Sequence, residues 1–416
     1  MDDVVIVGAG PTGLWLAAEL RLGGATVTVL EPRTERDPHS KALTIHPRTI
    51  EILDCRGLAD TFLAAGVSVP NGHFAGLPDR MDFAVLDTPH PYTLVLPQAR
   101  TEELLEDRAR TLGATIRRGC RVTGLTEDGV ELAGGEIVRA RYVAGCDGTR
   151  STIRSAAGID FPGTGPTTWG WLGDVVLDSP PERGMLSVSG PHGGLMVVPM
   201  GGGIFRLVGT DPSADRPDWP GELRLDELRA TVSLIAGTDF GMRDPVWLSR
   251  FGNATRQATA YRRGRVLLAG DAAHQHFPTG GVGMNVGIHD AHNLGWKLAA
   301  VVTGRADDTL LDSYHDERHP IGAALLEHTR AQTALMTACT PDGQALRTLL
   351  SRLIATTPEL SRQLAERLSG LDVEYATGRR VPNLGFPDGS TLFERLRTGD
   401  PVKTEAGLVR PDGHLA

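Results

Sequence analysis

Asp3-Val4-Val5-Ile6-Val7-Gly8-Ala9-Gly10-Pro11-Thr12-Gly13 is a short β-branched run feeding three spaced glycines, and Glu31 stands eighteen residues past the last of them, closing a second apolar run. Val4 to Val7 predict a buried parallel strand. Gly8 permits a tight turn, Gly10 lets backbone approach a pyrophosphate, and Gly13 lets the next helix pack closely on the strand. That helix is predicted over 11–22, ending at Gly23-Gly24, with the positive end of its dipole directed at phosphate. Glu31 is placed to accept the hydroxyls of an adenosine ribose, and an acid there repels a 2′-phosphate. Strand, glycines, helix, strand and acid in register predict a dinucleotide-binding unit, which a glycine turn alone would not.

The 416 residues can bury large cores and suggest two or three domains. A hydrophobic fraction of 40%, a charged fraction of 22% and 51 glycines describe a loop-rich α/β protein rather than a disordered one. The net charge of -9, with no Lys/Arg-dense face, argues against a nucleic-acid partner. The N-terminus enters the first strand without a basic n-region or apolar h-region, which predicts a cytoplasmic location. No membrane span is expected, because the apolar stretch Leu294 to Val302 is short and interrupted by Lys297. Cys55, Cys120, Cys146 and Cys339 lack C-x-x-C spacing, so neither a zinc site nor a disulfide framework is expected.

Further along, residues 71–96 alternate apolar and polar positions between Pro and Gly and read as antiparallel strands. Gln98 opens a helix, and strands resume at Ala114 and over 122–132. Arg141 to Cys146 forms a strand ending in Asp147-Gly148. From Trp169 to Arg256 the pattern is again β, and it holds Trp169, Trp171, Phe205, Trp219, Trp247 and Phe251, walls suited to a flat aromatic ligand. Arg206 and His192 in that stretch are candidates to meet substrate oxygens. Val266 to Ala269 is another buried strand, ending in Gly270-Asp271; then come Pro278-Thr279-Gly280-Gly281-Val282-Gly283-Met284-Asn285 and a helix to about Val302. A second Asp at a strand end, a glycine turn and a helix suit a cofactor larger than a nicotinamide nucleotide, which suggests FAD. His274 and His276, and His289 with His292, read as turn and packing residues rather than metal ligands.

Together, Gly8-Ala9-Gly10-Pro11-Thr12-Gly13, Cys146-Asp147-Gly148-Thr149-Arg150-Ser151 and Leu268-Ala269-Gly270-Asp271-Ala272-Ala273-His274 resemble the group A FAD-dependent aromatic hydroxylases with the para-hydroxybenzoate hydroxylase fold. The resemblance is greatest to the branch acting on polyketide, anthracycline and angucycline skeletons, and it covers residues 1 to about 395. It implies an α/β fold with a discontinuous Rossmann-like FAD-binding domain over 1–70, 98–168 and 257–330. A mostly antiparallel β-sheet substrate domain over 71–97 and 169–256 is inserted in it. A helical C-terminal region over 331–416 follows, in which Leu392 to Arg397 and Leu408 to Ala416 read as the remnant of a thioredoxin-like domain, absent or truncated here.

The same resemblance assigns Gly8, Gly10, Thr12 and Gly13 to the pyrophosphate, Glu31 to the ribose, and Lys41, where Arg is usual, to the flavin and phosphates. Gln98 and Asp271 go to the ribityl chain, Asp147 with Gly148 to FAD and the reducing nucleotide, and Pro278, Gly281, Gly283, Met284 and Asn285 to the isoalloxazine. Leu43 and Val282 depart from the family pattern. With no second fingerprint in the chain, NADPH or NADH is expected to dock transiently, reduce the flavin and leave. The resemblance further implies that a C4a-hydroperoxyflavin formed with O2 hydroxylates a polycyclic aromatic polyketide in antibiotic biosynthesis. Baeyer-Villiger insertion, antibiotic inactivation and a non-catalytic flavin-binding accessory role stay open, as does the choice between monomer and homodimer.

Overall fold

A computed structural model of the chain describes residues 1–182, 184–212 and 216–416. The strand Asp2–Val7 sits inside a sheet ordered Arg262–Arg263, Val266–Leu268, Ile137–Gly145, Asp2–Val7, Val27–Glu31, Thr115–Arg118. From Val266–Leu268 to Thr115–Arg118 every neighbour is parallel. Both faces of a parallel sheet are covered, which is why these strands read as continuous apolar runs rather than alternating ones. Helix Pro11–Leu22 is buried continuously from Gly13 to Leu20 and packs between the sheet and helix Gly283–Val302. Such close approach needs glycine. A Cβ on Gly13 would overlap the Gly8 carbonyl oxygen, and one on Gly8, at φ +107°, the carbonyl of Cys146.

The second body is a five-stranded antiparallel sheet, ordered Leu186–Gly190, Gly193–Gly201, Ile204–Thr210, Trp169–Leu177, Met242–Gly252. One face is covered by helix Leu225–Ala236, whose Leu228 and Val232 pack with Trp171, Val175, Val197 and Leu207. A short ladder joins the two bodies. Gly163–Thr164, where the chain leaves the first body, pairs with Thr255–Gln257, where it returns, and that strand pairs with His274–Gln275.

Residues 71–97 do not pair with this sheet, although they are grouped with it on sequence. Thr93–Val95 pairs instead with Thr44–Ile45 and Val67–Val69, and Asn71–Gly72 with Met81–Asp82. Phe74, Leu77, Met81 and Phe83 form a separate core with Leu325, Ile354, Ala365 and Leu368. Helices Pro341–Thr356 and Pro358–Ser369 confirm the helical pattern up to that point. Beyond it the chain makes two small ribbons, Glu374–Tyr375 with Gly378–Arg379 and Val402–Thr404 with Gly407–Val409, around the short helix Leu392–Arg395. No thioredoxin-like parallel sheet occurs among the described residues.

Several histidines are enclosed. His46 is 3% exposed and His328 9%. Burial pushes both down to about 4; a Gly280 carbonyl contact on His46 opposes this only in part. These rings are therefore neutral in the fold and take a proton below pH 6.5 once unfolded.

Two outcomes are expected. Gly13→Ala forces a Cβ into backbone that cannot yield and should lower the apoprotein's unfolding free energy by about 2–3 kcal/mol, measured in urea. The two histidines contribute stability that is complete above pH 6.5 and lost as pH falls toward 4. With up to about 3 kcal/mol at stake for each ring, urea midpoints should drop clearly between neutral pH and about pH 5.

Candidate functional site

Val7, Leu30, Gly145 and Leu268 lie in one row across four parallel strands, in register. The row continues one step further, with Gly8 N–H donating to Leu30 O, Cys146 N–H to Val7 O and Ala269 N–H to Gly145 O. Glu31, the glycine turn, Asp147 and Asp271 therefore emerge from one carboxyl edge. Three strand spacings separate Glu31 from Asp271, roughly 14 Å, the reach of an extended dinucleotide rather than of one phosphate.

At the glycine turn, Gly8 and Gly13 are packed but Gly10 is not: a Cβ there would meet no heavy atom within 4 Å. Gly10 is also the N-cap of helix Pro11–Leu22, with no side chain accepting from the first turn and no acid in it. Unsatisfied N–H groups beside open space form an anion site. Glu31 is half-buried and already oriented, accepting from Ala9 N–H at 3.0 Å and Arg33 N–H at 3.2 Å. Thr12 faces away from that space; its Oγ1 lies 2.7 Å from where a Gly270 Cβ would be, tying the first turn to the second.

In the second turn Gly270 takes φ +63°, and Asp271 is exposed with no hydrogen bond to any described residue. Asp290, a residue the sequence reading passed over, holds this turn. Its Oδ2 accepts from Gly270 N–H at 3.1 Å and meets His274 Nε2 at 2.7 Å, while Oδ1 accepts from Arg318 Nε at 2.8 Å. Burial would raise its carboxyl, but the Arg318 guanidinium and the His274 ring overcome that and bring it down to about 2.

Three residues assigned to the cofactor have hydrogen-bond partners within the protein, and these bonds place backbone. Asp147 accepts from Thr152 N–H at 2.7 Å and Ile153 N–H at 3.2 Å in the first turn of helix Thr152–Ala156, beside the N-cap Ser151. Asn285 is saturated: Oδ1 accepts from His46 N–H and Thr49 Oγ1, both at 2.8 Å, and Nδ2 donates to Thr44 O and Gly281 O at 3.0 and 2.9 Å. Gln98 accepts from Ala42 N–H at 3.0 Å and donates to Glu102 at 2.8 Å, which fixes the loop carrying exposed Lys41. Gly280 and Gly281, both at positive φ, turn the chain into helix Gly283–Val302 beside exposed Pro278, with Met284 packed on the core.

The helix-free face of the five-stranded sheet is turned toward these turns. Phe251 packs on Phe277, ring centroids 5.0 Å apart, and Trp247 on His39 at 5.2 Å. Register puts Leu172, Val208 and Met196 on the same face, with Arg206 gripping Asp174 through two bonds of 2.8 and 2.7 Å. Of the six aromatics noted in sequence, Trp171 and Phe205 face the other way, into the helix-covered core, and Trp169 pairs with Trp219. His192 is exposed at a hairpin tip, roughly 20 Å along the strand from the residue paired with Arg206, so the structure does not bring the two together. His274 is held by Asp290, His289 meets Thr49 at 2.9 Å and His292 meets Glu19 at 3.1 Å. Among the described residues no cluster of His, Cys, Asp or Glu could hold a metal, and no helix is long and apolar enough to cross a membrane.

An open cradle at Gly10, a preset ribose acceptor and a free Asp271 along one edge fit FAD, and known proteins agree. The FAD binding domain family matches residues 1–329. The uncharacterized aromatic compound monooxygenase YhjG of Bacillus subtilis is 47% identical over 91% of this chain and 77% of its own length. The rifampicin monooxygenase of Streptomyces venezuelae is 43% identical over 100% of this chain and 95% of its own. A dialkyldecalin synthase of Streptomyces rugosporus is 39% identical over 99% and 88%. The solved anhydrotetracycline hydroxylase OxyS of Streptomyces rimosus superposes with a TM-score of 0.89 at 40% identity, covering 100% of this chain and 95% of that one. The chain belongs to the family of FAD-dependent aromatic-compound monooxygenases.

Proposed function

We propose that this protein hydroxylates a polycyclic aromatic polyketide, using NADPH or NADH and O2. The supporting observation is the juxtaposition of one continuous carboxyl edge, long enough for FAD, with an apolar sheet face held over its glycine turn by Phe251 and Phe277. Bound FAD supplies two-electron reduction by NAD(P)H and activation of O2. The chain supplies the rest. The first-turn N–H groups and Gly10 hold the pyrophosphate, Glu31 the ribose hydroxyls, and Asp271 the ribityl side. Backbone at Gly280 to Gly283, stapled by Asn285 and His46, would hold the isoalloxazine. Leu172, Met196, Val208 and Phe251 exclude water and orient a flat substrate. Arg206 and Asp174 hold each other and give that wall one fixed polar point. No side chain there is required to move a proton at the reacting ring.

We group residues 169–256 as the substrate-facing body, place 93–97 with the nucleotide-binding body, following its strand pairing, and place 71–86 with the later helices, following its core. A second reading, the same oxygen transfer to a finished antibiotic, is favoured by the likeness to the rifampicin monooxygenase.

The test is NAD(P)H oxidation by the FAD-loaded protein with anthracycline-, angucycline- and tetracycline-type precursors. Substrate should stimulate oxidation and yield product heavier by one oxygen atom. Stimulation by mature antibiotics alone would select the second reading, and rearranged product of unchanged mass would point to cyclisation instead. A companion experiment isolates the cradle. Gly10→Ala, whose Cβ enters open space, should leave apoprotein stability within about 0.5 kcal/mol of the parent. FAD affinity should weaken at least about tenfold, about 1.4 kcal/mol, in flavin-fluorescence titration.

A further inference from the structure

Two helices carry adjacent residues that grip in two directions. On helix Asp312–Met336, Glu317 accepts both Arg410 nitrogens at 2.6 and 2.9 Å, and the next residue, Arg318, donates to Asp290, which holds the Gly270 amide. On helix Pro47–Asp54, Arg48 donates to the Asp412 carbonyl at 2.7 Å, and Thr49 donates to Asn285, which holds the Gly281 carbonyl. Asn293 links the sets by donating to Glu317 at 2.6 Å and to the Asp412 carboxylate at 3.2 Å. Successive residues on an α-helix point about 100° apart, so each helix has one contact on the C-terminal segment and one on a turn of the cofactor edge.

We infer that the buried C-terminal residues Arg410 and Asp412 are positioning residues for FAD, clamping the two helices whose neighbouring side chains set the Gly270-Asp271 turn and the Gly280 to Asn285 turn. This rests on the proposed placement of FAD along that edge. Both residues are almost fully enclosed, at 6% and 2% exposure, and Asp412 also accepts from the Trp296 indole at 3.1 Å. Without the Arg410 guanidinium, Glu317 keeps Lys297 at 2.7 Å and Asn293 at 2.6 Å but loses the two-pronged grip. Without the Asp412 charge, Arg410 loses its carboxylate partner and Asn293 and Trp296 a charged acceptor, and the backbone carbonyl to which Arg48 donates loses the contacts that fix it. Both helices can then shift, and with them the Asp290 carboxylate that holds the Gly270 amide and the Asn285 amide that holds the Gly281 carbonyl.

The test uses the full chain as apoprotein and with added FAD. Asp412→Asn and Arg410→Gln are compared with the parent and with Arg395→Gln, which breaks an ion pair to Asp388 in the same segment but outside this network. FAD affinity is read by fluorescence titration, and Gly270 amide exchange by deuterium uptake in the apoprotein. The expected result is FAD affinity weakened roughly tenfold and faster Gly270 exchange in both network variants, with Arg395→Gln like the parent. Affinity within about twofold of the parent in a folded network variant overturns the inference, even where its melting temperature falls. Should Arg410→Gln not fold, the size-conserving Asp412→Asn decides alone. If the parent itself fails to bind FAD, the placement of the cofactor is wrong, while the exchange data still report whether the segment and the turn are coupled.

Discussion

The Asp290 carboxylate is the interaction on which the rest of the site depends. It is 1% exposed, and three groups from two chain segments converge on it: the Gly270 amide and the His274 ring from one, the Arg318 guanidinium from the other. Removing one partner of a buried ion pair typically costs about 3–5 kcal/mol, because the remaining charge cannot return to water. The arrangement therefore has little freedom, and what it immobilises is the turn from which Asp271 projects. A free, exposed acid is useful only if its backbone does not wander.

The same logic extends along helix Gly283–Val302. Asn285, His289, Asp290, His292, Asn293 and Lys297 are all buried, a pattern a helix tolerates only if each polar side chain finds a partner. Every one of these side chains has at least one: Asn285 with His46 and Thr49, His289 with Thr49, Asp290 with Arg318, His292 with Glu19, Asn293 and Lys297 with Glu317, although His292 Nε2 and Asn293 Oδ1 have none among the described residues. These partners lie on elements far apart in the chain, so the helix works as the post onto which the nucleotide sheet, the loop after Ile45 and the C-terminal segment are fastened.

That post explains what the sequence disclosed and what it hid. The parallel strands and helix Pro11–Leu22 were legible because their constraints are local: apolar runs covered on both faces, and glycines where backbone meets backbone. Asp290 was not, because its Arg318 partner is twenty-eight residues away and an acid among His and Asn reads as a solvent face. Asp147, Asn285 and Gln98 were found by motif, yet sequence could not say that their polar groups are engaged by protein. Strand pairs of two residues, such as Asn71–Gly72 with Met81–Asp82, carry no periodicity, which is why residues 71–97 were grouped with the wrong sheet. The aromatics failed similarly, since which face each takes depends on register, and the pairing between Trp169–Leu177 and Met242–Gly252 shifts between Asp174 and Val176.

The substrate wall and the cofactor edge are then set relative to each other by short-range means. The ladder Gly163–Thr164, Thr255–Gln257, His274–Gln275 fixes where the five-stranded sheet departs and returns, and its last strand begins at His274, the residue Asp290 holds. Phe251 on Phe277 and Trp247 on His39 fasten two further points of the wall, one beside Pro278 and one in the loop preceding Lys41. The helix-free face of the sheet hangs from this ladder, and among the described residues its side chains make no hydrogen bond to the polar residues of helix Gly283–Val302. The cofactor edge has no such latitude: its Gly270 turn is tied through Asp290 to the buried Arg318 charge, and its Gly280-Gly281 turn to Asn285, whose amide has no hydrogen-bonding capacity left over.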